Sequence, residues 1–122
     1  MMLDVGPQGL LDLIVRAAGE KKAFDVLILH VGNLTPISDY FVLLSGRSTV
    51  QVKAIAEHIQ EKLTEQNVPV LRREGFRDGH WVLLDYGDIV VHIFLEEERE
   101  FYGLERLWHD APVLRPVVNG LT

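Results

Sequence analysis

The carboxylates around one short turn are the residues of this chain whose spacing could support chemistry. Asp85 and Asp88 lie three positions apart, and His92 follows in an apolar segment. Carboxylate and imidazole groups that converge could bind a metal ion or transfer protons as acid and base. A carboxylate pair at a turn is more commonly a turn former, because it accepts hydrogen bonds from backbone N–H groups. We favour this second interpretation, predict neither catalytic residues nor a metal site, and interpret His92 as a hydrogen-bonded core histidine.

A second set, Ser45, His58 and Asp39, has the residue types of a nucleophilic triad. A catalytic serine on a sharp strand-to-helix turn is framed by glycines as GxSxG, and no such pattern surrounds Ser45. The chain also lacks the phosphate-binding patterns GxGxxG and GxxxxGK(S/T). Its five histidines lack the HExxH and HxH spacings, and there is no cysteine to ligate zinc. The sequence therefore predicts no cofactor.

Length and composition indicate one domain that folds without disulfides. A chain of 122 residues can bury a single core, and with no cysteine that core depends on a hydrophobic content of 48%. We predict one domain over residues 1–122, with a compact core at about 7–111 and a flexible C-terminal tail over 112–122. No leader peptide or bilayer-spanning segment is recognisable. We expect a soluble, cytoplasmic protein that does not engage membranes.

The net charge of −6 restricts the partners that the chain can bind. Binding to nucleic acid depends largely on Lys and Arg that neutralise phosphates, so we expect no direct DNA binding and little direct RNA contact. An acidic surface instead favours steered association with a basic partner. Many apolar strands in a small domain also risk leaving an edge or patch uncovered, which would favour a homodimer when the protein is free.

Hydrophobic periodicity and capping signals predict alternating helices and strands. The first helix begins near Pro7 and ends near Gly19. A second helix has Ser48 as its N-cap, Gln51 reaching back as in a capping box, and an end near Gln66. A final helix over 96–108 begins with three glutamates. The predicted strands cover residues 24–31, 39–44, 68–72, 81–85 and 89–94, and the third is marginal or at an edge because it contains Pro69.

The last two predicted strands form an antiparallel hairpin. They are joined by Tyr86, Gly87 and Asp88, a connection too short for a crossover between parallel strands. The hairpin places Trp81, Asp85 and Asp88 where a strand meets solvent.

Several blocks of the sequence, in one order and at matching spacing, resemble a known family. The blocks are ISDYF at 37–41, SGRS at 45–48, QVKAIA at 51–56, EG at 74–75, WVLLDYGD at 81–88, VHIF at 91–94 and REFYGLERLW at 99–108. They resemble the ribosomal silencing factor family, also called the Iojap-like family, from about residue 10 to residue 111. The clear departure is the extension after Pro112.

The resemblance implies a fold, an activity and a partner. The fold is a single α/β domain whose mixed sheet of about five strands is flanked by helices, related to nucleotidyltransferases without their catalytic carboxylates. Family members bind a basic protein on the subunit-facing side of the large ribosomal subunit. There they block joining of the small subunit and silence translation when nutrients are short, whereas organellar relatives act in large-subunit assembly.

We predict that residues 74–88 form the contact surface for this partner. Trp81 would be the buried anchor, because interfaces commonly centre on one or two aromatic side chains. Acidic groups would face Lys or Arg of the partner and set specificity and association rate. The predicted partner-binding residues are Glu74, Trp81, Leu83, Asp85, Tyr86 and Asp88. In the alternative interpretation Trp81 packs inward and the two aspartates only cap the turn.

Two other functions are compatible with the sequence. One is a nucleotidyltransferase-like enzyme that uses Asp85 and Asp88 to hold Mg²⁺, which would require both carboxylates to face an open cleft. The other is an adaptor in large-subunit assembly whose main partner is not the mature ribosome.

Overall fold

The computed structural model describes residues 7–116. Its elements follow one another as α1 (Pro7–Glu20), β1 (Phe24–His30), β2 (Tyr40–Gly46), α2 (Thr49–Glu65), β3 (Arg72–Glu74), β4 (Trp81–Asp85), β5 (Ile89–Leu95), α3 (Glu96–Tyr102), α4 (Leu104–Leu107) and β6 (Val113–Leu114).

The strands form one mixed sheet in the order β3-β4-β5-β2-β1-β6. β2 and β5 are parallel, and every other neighbouring pair is antiparallel. The predicted hairpin is confirmed, with Val82 opposite Ile93 and Leu84 opposite Val91. The expected α/β domain with a mixed sheet is also confirmed. The described residues contain six strands instead of about five, because the two-residue β6 pairs with the outer edge of β1.

The two faces of the sheet are covered to different extents. Successive side chains of a strand point to opposite faces. One face packs against α1 and α2, where Val82 and Leu84 of β4 join Ile55 and Ile59 of α2 in the larger core cluster. The other face carries a smaller cluster that includes Phe41, Leu43 and Phe94, with Leu104 and Trp108 packed on it. No residue of α3 or α4 is fully buried, so these short helices cover this second face only in part.

Helix α2 begins and ends as its sequence predicts. Ser48 is the N-cap, and its side chain accepts a hydrogen bond from the N–H of Gln51 at 3.1 Å. The Gln51 side chain also reaches back, although it accepts from the N–H of Arg47, at 2.6 Å, and not from that of Ser48. Gln66 is the C-cap, and Asn67 follows with a left-handed φ of 63°.

The predicted final helix is interrupted, which corrects the expectation of one helix over 96–108. Gly103 takes a φ of 65°, ends α3 and separates it from α4. A Cβ at this glycine would lie 2.7 Å from Nη2 of Arg106. The break turns the chain back along the second face of the sheet.

Two short strands differ from the prediction. β3 is an edge strand as expected, but it covers Arg72–Glu74 and not residues 68–72. Pro69 has no N–H to donate, and pairing with β4 begins only after the N–H of Leu71 donates to the carbonyl of Asp85 at 2.8 Å. β6 lies inside the segment predicted to be a tail, and residues 117–122 of that segment lie outside the described residues.

Candidate functional site

Four of the predicted partner-binding residues share the less covered face of the sheet. Along β4, Trp81, Leu83 and Asp85 are half-buried on this face, whereas the alternating Val82 and Leu84 are fully buried on the other. Glu74 of β3 is exposed and pairs directly with Leu83, and directly paired residues project to the same side. We call Glu74, Trp81, Leu83 and Asp85 the β4 surface.

Trp81 is held in a defined orientation at the centre of this surface. Its Nε1–H donates a hydrogen bond to Nδ1 of His92 at 3.1 Å. Its ring stacks on Phe94 with centroids 5.1 Å apart, and Tyr102 of α3 lies 4.6 Å away. The side chain is only half-buried, so it combines the two interpretations made from the sequence. One part packs on the smaller core cluster, and the other part meets solvent.

The acidic residues of the β4 surface form a hydrogen bond within the turn and ion pairs with one arginine. Oδ1 of Asp85 accepts from the N–H of Gly87 at 2.8 Å, so this carboxylate does cap the turn. Arg72 lies between the two carboxylates, with Nε 3.1 Å from Oε2 of Glu74 and Nη2 3.7 Å from Oδ2 of Asp85. Exposed ion pairs of this kind stabilise a fold by at most about 1 kcal/mol. A basic partner could therefore compete with Arg72 for both carboxylates.

The structure separates Tyr86 from this surface and places Asp88 at its end. Tyr86 packs against the larger core cluster on the opposite face, and burial raises the pKa of its hydroxyl to about 12. It therefore faces away from the β4 surface, and its assignment as a partner-binding residue remains a prediction. Asp88 is exposed, and its backbone carbonyl accepts hydrogen bonds from the N–H groups of Asp39 and Tyr40 and from the Ser38 hydroxyl, each at 2.9 Å.

His92 is a core histidine, as its apolar context predicts. It is 4% exposed, and burial lowers the pKa of its imidazole from 6.5 to about 4. The ring is therefore neutral at pH 7. Its Nδ1 is occupied by Trp81 and does not join Asp85 and Asp88. Within residues 7–116 no three or more His, Asp or Glu side chains come together in a group that could hold a metal ion.

The second candidate set, Ser45, His58 and Asp39, is dispersed. The Ser45 hydroxyl accepts from Nη1 of Arg99 at 2.9 Å. Nε2 of His58 lies 2.6 Å from Oε1 of Glu20, and this hydrogen bond lowers the pKa of the Glu20 carboxyl. Asp39 precedes β2 and Ser45 lies near its end, which puts them about 20 Å apart. The three side chains cannot act together.

The sequence reasoning missed two aromatic residues beside the β4 surface. Tyr102 is 40% exposed and covers part of Trp81, and Phe101 is 79% exposed with its ring 5.5 Å from that of Tyr102. The sequence contains one signal for them. Phe101 and Tyr102 are adjacent on a predicted helix, and adjacent helical residues cannot both face the same core. The row Trp81–Tyr102–Phe101 extends the apolar surface from the sheet onto α3.

A cleft of about 730 Å³ lies alongside α3, lined by residues from Glu96 to Gly103, and is a candidate site for a small ligand. Arg99 lines the cleft and donates to the Asp25 carbonyl at 2.6 Å and to Glu105 at 2.8 Å. The charged lining residues are Asp25, Glu96, Arg99, Glu100, Glu105, Arg106 and Arg115. Since acidic and basic groups are nearly balanced, the cleft does not select a phosphate or a metal ion.

The helices of residues 7–116 include none long and apolar enough to cross a membrane.

Comparison with known proteins gives consistent results. The model of the family described as "Ribosomal silencing factor during starvation" matches residues 6–120. A protein of Halalkalibacterium halodurans named ribosomal silencing factor RsfS is 43% identical over 107 residues, which cover 88% of this chain and 92% of that protein. A crystal structure of a Chromobacterium violaceum protein superposes with a TM-score of 0.83 at 34% identity, covering 96% of both chains.

A more distant mouse protein is named mitochondrial assembly of ribosomal large subunit protein 1. It is 31% identical over 107 residues, which cover 85% of this chain and 47% of that protein.

Proposed function

The chain belongs to the ribosomal silencing factor family, and we propose that it binds the large ribosomal subunit and blocks joining of the small subunit. The observation that carries this proposal is the family match over residues 6–120. The contact is made through a basic ribosomal protein at the subunit interface. Occupation of that site represses translation in the cytoplasm when nutrients are limiting.

The β4 surface and the adjoining aromatic row have the composition of a protein-binding site. Aromatic side chains are enriched at the centres of interfaces, and Trp81, Tyr102 and Leu83 would form such a centre. Glu74, Asp85 and the exposed Asp88 would surround it with negative charge. A standard interface needs about 800 Å² from each partner, so the contact would extend beyond these residues.

The charge of the chain supports a basic protein as the direct partner. A net charge of −6 opposes general binding to RNA phosphates, and ribosomal RNA would therefore contribute little of the contact. The same charge would steer the chain towards a patch of Lys and Arg. No DNA and no membrane are involved in this function.

We propose a non-enzymatic role that needs no cofactor. The enzymatic alternative requires Asp85 and Asp88 to hold Mg²⁺ together. Asp85 instead accepts from Gly87 and lies near Arg72, which leaves it poorly placed to bind a metal ion. Calorimetric titration with nucleotide and Mg²⁺ tests this directly, because an enzyme of that class must bind both whereas a silencing factor gives no heat.

Co-sedimentation with isolated subunits tests the proposed partner. We expect the protein to pellet stoichiometrically with large subunits, to remain in the supernatant with small subunits, and to behave identically with and without nucleotide. Equal binding to both subunits, or to neither, would contradict the proposal.

A role in large-subunit assembly is the second candidate, and the name of the mouse relative favours it. Depletion in growing cells separates the two functions. An assembly factor leaves incomplete large subunits during rapid growth, whereas a silencing factor changes the amount of joined ribosomes only when nutrients fall.

We also propose that the free protein self-associates. Large apolar side chains such as Phe101 and Leu107 are 79% and 71% exposed. Burying them against a second copy would remove this surface from water. Light scattering at high micromolar concentration should give a mass above that of the monomer, and a monomer mass there would exclude the dimer.

A further inference from the structure

The indole of Trp81 rests on a histidine that the packing of the core does not require. His92 is diagonal to Trp81 across the β4–β5 pair and accepts the indole N–H through Nδ1 at 3.1 Å. The ring of Phe41 lies 4.9 Å from the imidazole at 72°, and Phe94 lies 6.3 Å away. The imidazole of His92 therefore lies among aromatic rings.

Keeping an imidazole at this position has a cost in stability. An indole nitrogen can only donate, so Nδ1 must be the acceptor and the proton of the neutral ring must lie on Nε2. Nε2 is buried and has no hydrogen-bond partner among the described residues. A buried donor without a partner destabilises the folded state. A leucine or phenylalanine would fill the same space without this penalty.

What the imidazole supplies is an acceptor for Trp81. Without it, the half-buried indole would carry an unpaired N–H and could rotate over Phe94 and Tyr102. We propose that His92 is a positioning residue, which fixes the orientation of Trp81 so that its exposed part is preorganised for a basic ribosomal partner. This proposal rests on the proposed function for its binding step, but the orientation of the indole can be tested separately.

Two substitutions distinguish positioning from packing. H92L places an apolar side chain in the core and removes the acceptor. H92N places its Oδ1 close to the position of Nδ1, so it can still accept from Trp81. V90A is the matched control, since it removes core volume from the same strand and face without touching this hydrogen bond.

The variants are compared by the indole N–H resonances of the folded protein and by affinity for isolated large subunits. Trp108 provides a second indole signal as a reference. In H92L we expect the Trp81 resonance to move. Affinity for large subunits should fall about tenfold, because the partner must then orient an indole that the hydrogen bond to His92 no longer holds. H92N should show a Trp81 resonance close to that of the wild type and retain most of the affinity for large subunits. V90A should lower the thermal midpoint while leaving the Trp81 resonance and the affinity unchanged.

The proposal is overturned if H92L keeps the wild-type Trp81 resonance, or if H92N and H92L lose affinity equally and in proportion to stability. If the unmodified protein fails to bind large subunits, the proposed function is wrong. In that case, comparison of the Trp81 indole resonance in the wild type, H92L and H92N still tests whether His92 orients Trp81.

Discussion

At the scale of single residues, the candidate site depends on a tryptophan that is neither core nor fully exposed. Trp81 packs on Phe94 and Tyr102, donates to His92, and keeps part of its ring in solvent. That acidic residues lie near it could be predicted from the sequence, whereas its contact with Tyr102 was missed. Its hydrogen bond to His92 could not, because it depends on the register between β4 and β5 and on which nitrogen of the ring is protonated.

Replacing Trp81 by alanine should weaken binding more than stability. We expect W81A to lose about 2 kcal/mol or more of binding free energy for large subunits. Its stability should fall by less than the roughly 3–5 kcal/mol typical of a fully buried tryptophan. W108A is the matched control, a half-buried tryptophan on the same face that should lower stability and leave affinity unchanged. A folded W81A protein with wild-type affinity would rule out Trp81 as the anchor.

The buried His92 should make stability depend on pH. Because its pKa is lowered to about 4 in the folded protein, the unfolded chain binds the additional proton between pH 6.5 and 4. Protonation of His92 therefore has no effect on stability above pH 6.5. Stability falls as the pH decreases from 6.5 towards 4, by on the order of 3 kcal/mol. Denaturant unfolding should show that the wild type loses stability relative to H92N as the pH falls over this range. A constant difference would mean that His92 does not titrate as its burial requires.

At the scale of elements, strong local sequence patterns were sufficient to predict a helix or strand, and weak ones were not. Helix α2 and the β4–β5 hairpin follow from a capping box, an apolar stripe and a short turn. The break at Gly103 and the two-residue β6 depend on contacts across the sheet, and no local pattern specifies them. The placement of Tyr86 could have been deduced from strand alternation, since Val82, Leu84 and Tyr86 have the same parity along the chain.

The β3–β4 connection should tolerate no side chain at Gly75. This residue has a φ of 76°, and a Cβ would lie 2.0 Å from the carbonyl oxygen of Trp81. Gly87 has a φ of 89°, but its nearest neighbour is a side-chain atom at 3.6 Å. G87A should therefore cost about 1 kcal/mol of strain, and G75A an additional 1–3 kcal/mol or so from the backbone clash.

Thermal and chemical unfolding of the two alanine variants measure this difference. Equal destabilisation by G75A and G87A would show that the connection can shift away from Trp81, and that the β4 surface is less rigid than the structure indicates.

At the scale of the whole molecule, a small acidic domain leaves one face of its sheet partly open and places aromatic and acidic side chains there. The larger core cluster under α1 and α2 supplies most of the buried apolar surface, so the second face can retain exposed groups. The net charge of −6 would then act mainly on the rate of association with a basic partner.

Reversing one exposed charge should test this electrostatic contribution. D88K should slow association with large subunits severalfold at low salt and less at high salt, because exposed charges are screened. D12K makes the same charge change on the exposed side of α1 and is the control. Stopped-flow association rates for both variants measure the effect. Equal slowing by D88K and D12K would assign it to net charge and not to the position of Asp88 beside the β4 surface.

The central claim is tested most directly by the joining of purified ribosomal subunits, followed by light scattering as the protein is titrated. We predict that the amount of joined ribosomes falls as the protein is added, reaches its minimum near one copy for each large subunit, and is independent of nucleotide. W81A should require a higher concentration for the same effect. Unchanged joining at a saturating concentration of folded protein would contradict the account.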